Sequence, residues 1–322
     1  MQPLSCGPSE SERMRAAILI LLLMPGLAPL VQAQFARRSI ALYQFNDLPI
    51  NPGFSGHDST SSLDLSWFGN VQGFASNFRM VDISLRGPLG YSGHAAWGLN
   101  IQFVSELDIN ELRLRPAYAY ALDTELGRFA FGATLGVNYF DFREDDNLIL
   151  DFRNFASIDG GLGVFFQGRK LFAGISALNL YEVAFSDATN LDHLFLPREN
   201  AFFLHTGYEH HFNEHFGLRP VLLFKFSDNY LLKDRAVLSD LENEIAIDFQ
   251  LNVYIERDYL VGLFVGHSAL EASENVTRFG LSIHYLFGDM RLSYGLHRTT
   301  FEQSNTEFPP SHLFSFGSEF GR

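Results

Sequence analysis

A two-residue rhythm constrains this chain more than any other feature. Between Phe129 and Tyr139 the odd positions hold Phe129, Phe131, Ala133, Leu135, Val137 and Tyr139, and the even ones hold Ala130, Gly132, Thr134, Gly136 and Asn138. Successive strand side chains point to opposite faces, so such a segment has one greasy face and one small or polar face. Ile245–Ile255, Phe279–Phe287 and Ala95–Phe103 repeat the pattern. Read this way, the chain holds about fourteen strands, near 61–68, 80–86, 94–104, 112–122, 129–140, 158–167, 171–180, 202–211, 217–227, 245–255, 259–267, 279–286, 290–297 and 312–320. Pro116 and Pro220 fall inside two of them, where a missing N–H interrupts a ladder.

The spacing between strands says how they close. The connections are expected at 69–79, 87–93, 105–111 and 123–128, then 141–157, 168–170, 181–201, 212–216, 228–244, 256–258, 268–278, 287–289 and 298–311. From the fifth onward, long and short alternate, the signature of an antiparallel barrel in an outer membrane. In lipid every backbone N–H and C=O needs a partner, and an open sheet leaves two edges bare. The expected fold is therefore all-β, a transmembrane antiparallel β-barrel of about fourteen strands. An even strand count places both termini on the periplasmic side. Composition agrees. Charged residues are 19% and aromatics 15% of the chain, with Phe alone at 33 residues, too aromatic and too lightly charged for an ordinary soluble enzyme. The formal charge of −14 argues against general binding to nucleic-acid phosphates.

The first segment reads as an address. Met14-Arg15 opens a basic region, Ala16–Leu23 is apolar, and Pro25-Gly26 breaks the run before it reaches the ~20 residues of a spanning helix. Val31-Gln32-Ala33 then suits a signal peptidase, so cleavage is expected between Ala33 and Gln34, with Met14 as an alternative start. The expected organisation is a signal peptide over 1–33, a periplasmic N-terminal segment or plug over 34–60, and the barrel over 61–322. The one cysteine, Cys6, leaves with the signal, so the mature chain has neither disulfides nor a thiolate metal site.

Charged residues on the polar face of the strands are expected to line the lumen: Asp82, Arg86, Arg113, Arg115, Asp159, Glu209, Arg219, Lys225 and Asp248, with Glu319 near the end. Both signs are interspersed, which suits salt bridges filling the interior better than a selectivity ring. His205, His210, His211 and His215 cluster in sequence, and His205 shares a strand face with His211, but no established ligand spacing appears and no metal or other cofactor is expected. Glu144-Asp145-Asp146-Asn147 reads as a solvated loop tip. No GxSxG elbow or converging Ser/His set points to catalysis. The loops 141–157, 181–201 and 228–244 together hold fourteen acids against five bases, so most of the negative charge is expected as an extracellular crown.

The segment after the signal, Leu42–Gly56, is rich in turn formers. Within it Asn51-Pro52-Gly53-Phe54-Ser55-Gly56 resembles the Asn-Pro-Ala-Tyr-Ala-Gly-type motif of the PorP/SprF family of outer-membrane proteins linked to type IX secretion and gliding motility. Arg115-Pro116-Ala117-Tyr118-Ala119-Tyr120, Phe172-Ala173-Gly174-Ile175-Ser176 with Leu178-Asn179, His205-Thr206-Gly207-Tyr208 and Leu218-Arg219-Pro220-Val221-Leu222 extend the resemblance across the mature chain. One departure is that Phe320 is followed by Gly321-Arg322, whereas outer-membrane barrels often end on an aromatic residue. The resemblance implies a non-enzymatic outer-membrane accessory that binds translocon components and other envelope proteins. It would assist secretion or surface attachment of a cargo or adhesin through that cargo's C-terminal domain. Asn51, Pro52, Gly53, Phe54 and Gly56 would then either meet partners or pack the barrel mouth. The alternative is a channel or transporter for small molecules, hydrophobic ones included. In either case the partners include outer-membrane lipid and no nucleic acid.

Overall fold

The computed structural model describes residues 43, 46–70, 79–106, 109–142, 154–185, 200–228, 244–256, 258–270, 275–301 and 310–320. The signal segment with Ala33 and Gln34, the acidic run 144–147 and most of the acidic crown lie outside the described residues. The described strands are β1 (Ser61–Asn70), β2 (Arg79–Leu89), β3 (Ala95–Glu106), β4 (Ile109–Thr124), β5 (Gly127–Phe142), β6 (Asn154–Gln167), β7 (Leu171–Phe185), β8 (Asn200–Tyr208), β9 (His210–His211), β10 (Phe216–Asp228), β11 (Glu244–Ile255), β12 (Tyr259–Leu270), β13 (Val276–Phe287), β14 (Met290–Phe301) and β15 (Ser311–Phe320). Because β8 and β9 are two pieces of one stave broken at Glu209, these segments form a closed antiparallel barrel of fourteen staves. β15 pairs with β1 and closes the ring, so no edge is left for lipid to meet.

All expected strands are present, and most run longer than their apolar rhythm. The expected connection 105–111 shrinks to residues 107–108, because β3 and β4 stay paired up to Glu106 and Ile109. Hydropathy reports only the part of a strand that faces lipid, whereas the ladder continues past it. The expected continuous strand 202–211 breaks at Glu209 instead. Pro220 explains the site of that break. β10 pairs with β9 up to Leu218 and resumes with β8 at Val221, so the missing N–H falls in the gap. Pro116 behaves alike: pairing of β4 with β5 skips from Leu114 to Ala117, and the Thr134 hydroxyl donates to the Pro116 carbonyl instead (2.8 Å).

One end of the barrel carries the connections 90–94, 125–126, 168–170, 212–215, 256–258 and 288–289, together with the start of β1 and the end of β15. The other end carries 71–78, 107–108, 143–153, 186–199, 229–243, 271–275 and 302–310. Gly288 supplies the left-handed backbone (φ +61°) that its two-residue turn needs.

Burial is inverted relative to a soluble protein. The outward residues Leu135, Ile175, Leu263 and Val265 are 53–61% exposed, whereas the inward Asp82, Asn138, Asp248 and Gln250 are at most 1% exposed. Water cannot favour that arrangement, but lipid outside and a packed polar interior do. At the short-turn end an aromatic girdle marks the interface, with Tyr259 against Tyr285, Tyr285 against Phe287, and Phe212 against Phe216. The lumen also holds an apolar core. Tyr43 and Ile50 of the N-terminal segment join Phe165, Phe172, Leu178, Phe203, Leu223 and Phe264 there, all buried.

Candidate functional site

The site is a short turn seated inside the barrel. Asn51 precedes Pro52, and a residue before proline is steered to extended backbone; its φ of −143° and ψ of 109° agree. Proline then opens a 3₁₀ turn, Pro52–Gly56, where its lack of an N–H is harmless. Asn51 caps that turn, its Oδ1 accepting from the Gly53 N–H at 2.9 Å. The Ser55 hydroxyl closes the turn onto the Pro52 carbonyl (2.8 Å).

The other half of the Asn51 amide holds the turn to the wall. Its Nδ2 donates to the Val164 carbonyl of β6 at 3.0 Å and lies 3.5 Å from the Ile175 carbonyl of β7. The Ser176 hydroxyl donates to the Ile50 carbonyl at 2.5 Å. The wall is hollowed to receive this. Ala96, Ala119, Gly132, Gly163 and Ser176 are register partners in turn across β3 to β7, forming one row of small residues. A Cβ on Gly132 would overlap the Pro52–Gly53 peptide, and one on Gly163 would overlap the Asn51 amide. In turn, a Cβ on Gly56 would press on Ala119 and Ala130 at 3.2 Å. Glycine is needed here for close backbone approach rather than for flexibility.

Charges clamp the far end of the turn. Arg86 sits over the Phe54 ring (5.1 Å) and pairs with Asp58 (2.6 Å), which also contacts His57 (3.0 Å). Burial opposes ionisation of the Asp58 carboxyl, but its hydrogen bonds and charge contacts with His57 and Arg86 outweigh that and hold it well below the usual carboxylate range. Arg128 donates to the Gly56 carbonyl (2.8 Å) and to Asp123 (3.2 Å). On the N-terminal side, Asn46 reaches Asp82 (3.4 Å), and Asp47 lies 3.5 Å from the His205 ring.

The structure places Asn51, Pro52, Gly53 and Gly56 buried and Phe54 half-buried. The charged residues singled out from sequence are gathered into separate lumen networks. Asp82 accepts from Asn100 (2.7 Å) and Gln102 (2.9 Å). Arg113 pairs with Glu111 (3.1 Å). Arg115 bonds both Asp159 (3.1 Å) and Asn179 (2.8 Å), and Asn138 also donates to Asp159 (2.9 Å). Asp248 meets Arg278 (3.2 Å). Lys225 is buried on the same inward face. Glu209 and Arg219 flank the Tyr254 hydroxyl near the short-turn end, and Glu319 lies exposed at that end.

The histidines do not converge. His205 is buried beside Tyr43 and Phe172. His211 also faces the lumen side, six residues and ~20 Å further along, paired with Glu209 (2.9 Å). His210 stacks between Tyr208 and Phe212, and His215 is exposed in the turn. Among the described residues no group of three or more His, Cys, Asp or Glu lies within metal-holding range.

Sequence reasoning missed Asp58, Asp64, Glu111, Arg278 and Arg291, and the role of the small-residue row. Arg291 pairs with Asp64 (2.7 Å) across β15. The row had a readable signal: glycine or alanine at inward positions of several successive strands. The bulge at Asn179 (φ +56°), which brings that side chain to Arg115, had none beyond the residue type.

Solved outer-membrane barrels share this architecture. The toluene transporter TodX of P. putida aligns with a TM-score of 0.50 at 10% identity, covering 86% of this chain and 94% of that one. A FadL homologue of Pseudomonas aeruginosa gives 0.50 at 8% identity, covering 85% and 93%. CdiB from Acinetobacter baumannii gives 0.48 at 8% identity over 81% of this chain, which spans 60% of that chain's length. At such identities the likeness is one of fold. No curated protein matches the chain by sequence. The profile of the family described as type IX secretion system membrane protein PorP/SprF matches residues 34–317. The barrel, the seated Asn-Pro turn and that match over most of the chain lead to one conclusion: this protein belongs to the PorP/SprF family of type IX secretion system membrane proteins.

Proposed function

We propose that this chain is a non-enzymatic accessory of type IX secretion that binds translocon and other envelope proteins and assists the export or surface attachment of a cargo through that cargo's C-terminal domain. The observation that carries this reading is the occupied lumen. An N-terminal turn is bonded to the wall, an apolar core joins it to β6–β12, and ion pairs such as Arg115–Asp159 and Arg278–Asp248 are buried on the inward face. A barrel filled in this way offers its surfaces rather than a path. In this reading both termini and the short turns face the periplasm, and the long connections face outward, where the acidic loops would select basic or cation-bridged partners. Asn51, Pro52, Gly53 and Gly56 act by holding the turn, and Phe54, stacked on His57 (4.0 Å) and packed against Phe165 (5.2 Å), holds its far end.

Affinity purification of the full chain from native envelopes tests this reading. Recovery of a large translocon barrel or of a secreted protein's C-terminal domain supports it. Recovery of the barrel with neither, under conditions that retain other translocon contacts, refutes it. The rival reading, passage of small hydrophobic molecules, has the fold likeness to TodX behind it and the filled lumen against it.

A further inference from the structure

We infer that the outward face of β12–β15 and β2, at the long-connection end, binds the phosphate of an outer-leaflet glycolipid. Among the described outward-facing strand side chains, three are charged: Arg79, Arg298 and, on the far wall, Asp141. Three are histidines: His210, near the short turns of the opposite wall, and His267 and His312. Four of these five basic groups, both arginines among them, fall in one sector and at one end, in a chain whose formal charge is −14. A row of guanidinium and imidazole groups at the strand ends, where lipid headgroups begin, is the arrangement that meets anionic headgroups.

Register brings the groups together. Arg79 and His312 are both cross-strand partners of Gly69, one on each side. They stand ~10 Å apart with no side chain between them. Leu296 pairs with His312, so Arg298 projects two residues beyond Leu296 on the neighbouring strand. The Tyr294 hydroxyl bonds His312 Nδ1 (2.8 Å) and fixes the ring. Directly below lies an apolar shelf of stacked rings, with Trp67 against Phe314 (5.7 Å) and Phe314 against Tyr294 (5.1 Å). The ligand that matches cations above and rings below is a phosphorylated headgroup on acyl chains, and guanidinium suits phosphate geometrically. A free anion would gain nothing from the shelf. The assignment to the outer leaflet rests on the orientation proposed above.

The test uses the full chain in detergent, with bis-phosphorylated lipid A as the probe, read by native mass spectrometry. Dephosphorylated lipid A is the comparison. Wild type should hold lipid A, and R79Q/R298Q/H312Q should hold it at least about tenfold more weakly. R79K/R298K should keep most of the binding, and unchanged heat-modifiability would show that both variants are folded. Equal retention of the phosphorylated and dephosphorylated lipids, or by wild type and triple variant, overturns the inference. An N275C variant, at the long-connection end, labelled by an impermeant maleimide on intact cells, tests the orientation separately. Labelling with lost lipid discrimination overturns the row alone. Shielding with retained discrimination overturns the orientation, and with it the outer-leaflet assignment.

Discussion

Gly163→Ala should loosen the seated turn without unfolding the barrel. The new Cβ would overlap Asn51 Oδ1 and lie 2.9 Å from Pro52 Cδ. Overpacking of this kind costs about 1–3 kcal/mol. The barrel does not have to absorb it, because its ladder through Gly163 to β5 and β7 is backbone alone. The turn can yield instead, giving up the Asn51 bond to the Val164 carbonyl and the Ser176 bond to the Ile50 carbonyl. Asn51→Ala reaches the same end by another route. It removes the cap on Gly53 and the wall bond, together about 2–3 kcal/mol. Hydrogen exchange of the amides between residues 46 and 58, followed by mass spectrometry in detergent, reads the opening of the turn directly. Asn51→Ala should speed exchange there by about thirty- to a hundred-and-fiftyfold, with barrel strands unaffected. The pair should also be non-additive, since a Cβ at position 163 finds part of its space vacated once the amide is gone. Unchanged exchange in both variants, or full additivity of the two, would refute the seat as the thing that holds the turn.

Other perturbations probe other links. Arg115→Ala leaves Asp159 buried with Asn138 but without its cation, and should lower the thermal unfolding midpoint seen by gel mobility by more than Asp159→Asn does; a buried pair broken on one side costs about 3–5 kcal/mol. Because its folded-state pKa is depressed, Asp58 stabilises above its ordinary value of 3.8, and that contribution is lost as pH falls from there toward the folded value. Below about pH 4 the turn should therefore become more open to protease in wild type, and Asp58→Asn should flatten that pH dependence. Leu135→Arg, on the lipid face, should destabilise membrane-inserted protein in urea titrations by about 2–4 kcal/mol, an effect absent if that face met water. Pro220→Ala should leave stability within about 0.5 kcal/mol, since the ladder is already interrupted on that side.

Much of the fold was legible because alternation is local and lipid enforces it. The alternation in Ile245–Ile255 and Phe129–Tyr139 marks strands with one greasy face, and the long/short asymmetry of the connections points to a closed barrel in lipid. Strand ends were less legible. Glu106 and Ile109 continue the ladder where hydropathy no longer reports it. The pairing of lumen charges was hidden for another reason: Arg115 meets Asp159 and Asn179 only through the registers of β4 to β7, including the bulge at Asn179. Likewise, His205 and His211 look close in sequence, yet a fully extended strand separates them by ~20 Å. The Asn51 turn was visible as turn chemistry, but its seat lies on five other strands, and nothing local to Asn51 encodes them.

The central claim is that the lumen is occupied, with the N-terminal turn as part of what occupies it, and single-channel recording of the full chain in planar bilayers tests it most directly. The account predicts no stable conductance from the wild type and a persistent open level once residues 46–56 are deleted. A steady open pore from the wild type, equal in size to that of the deletion, would contradict it.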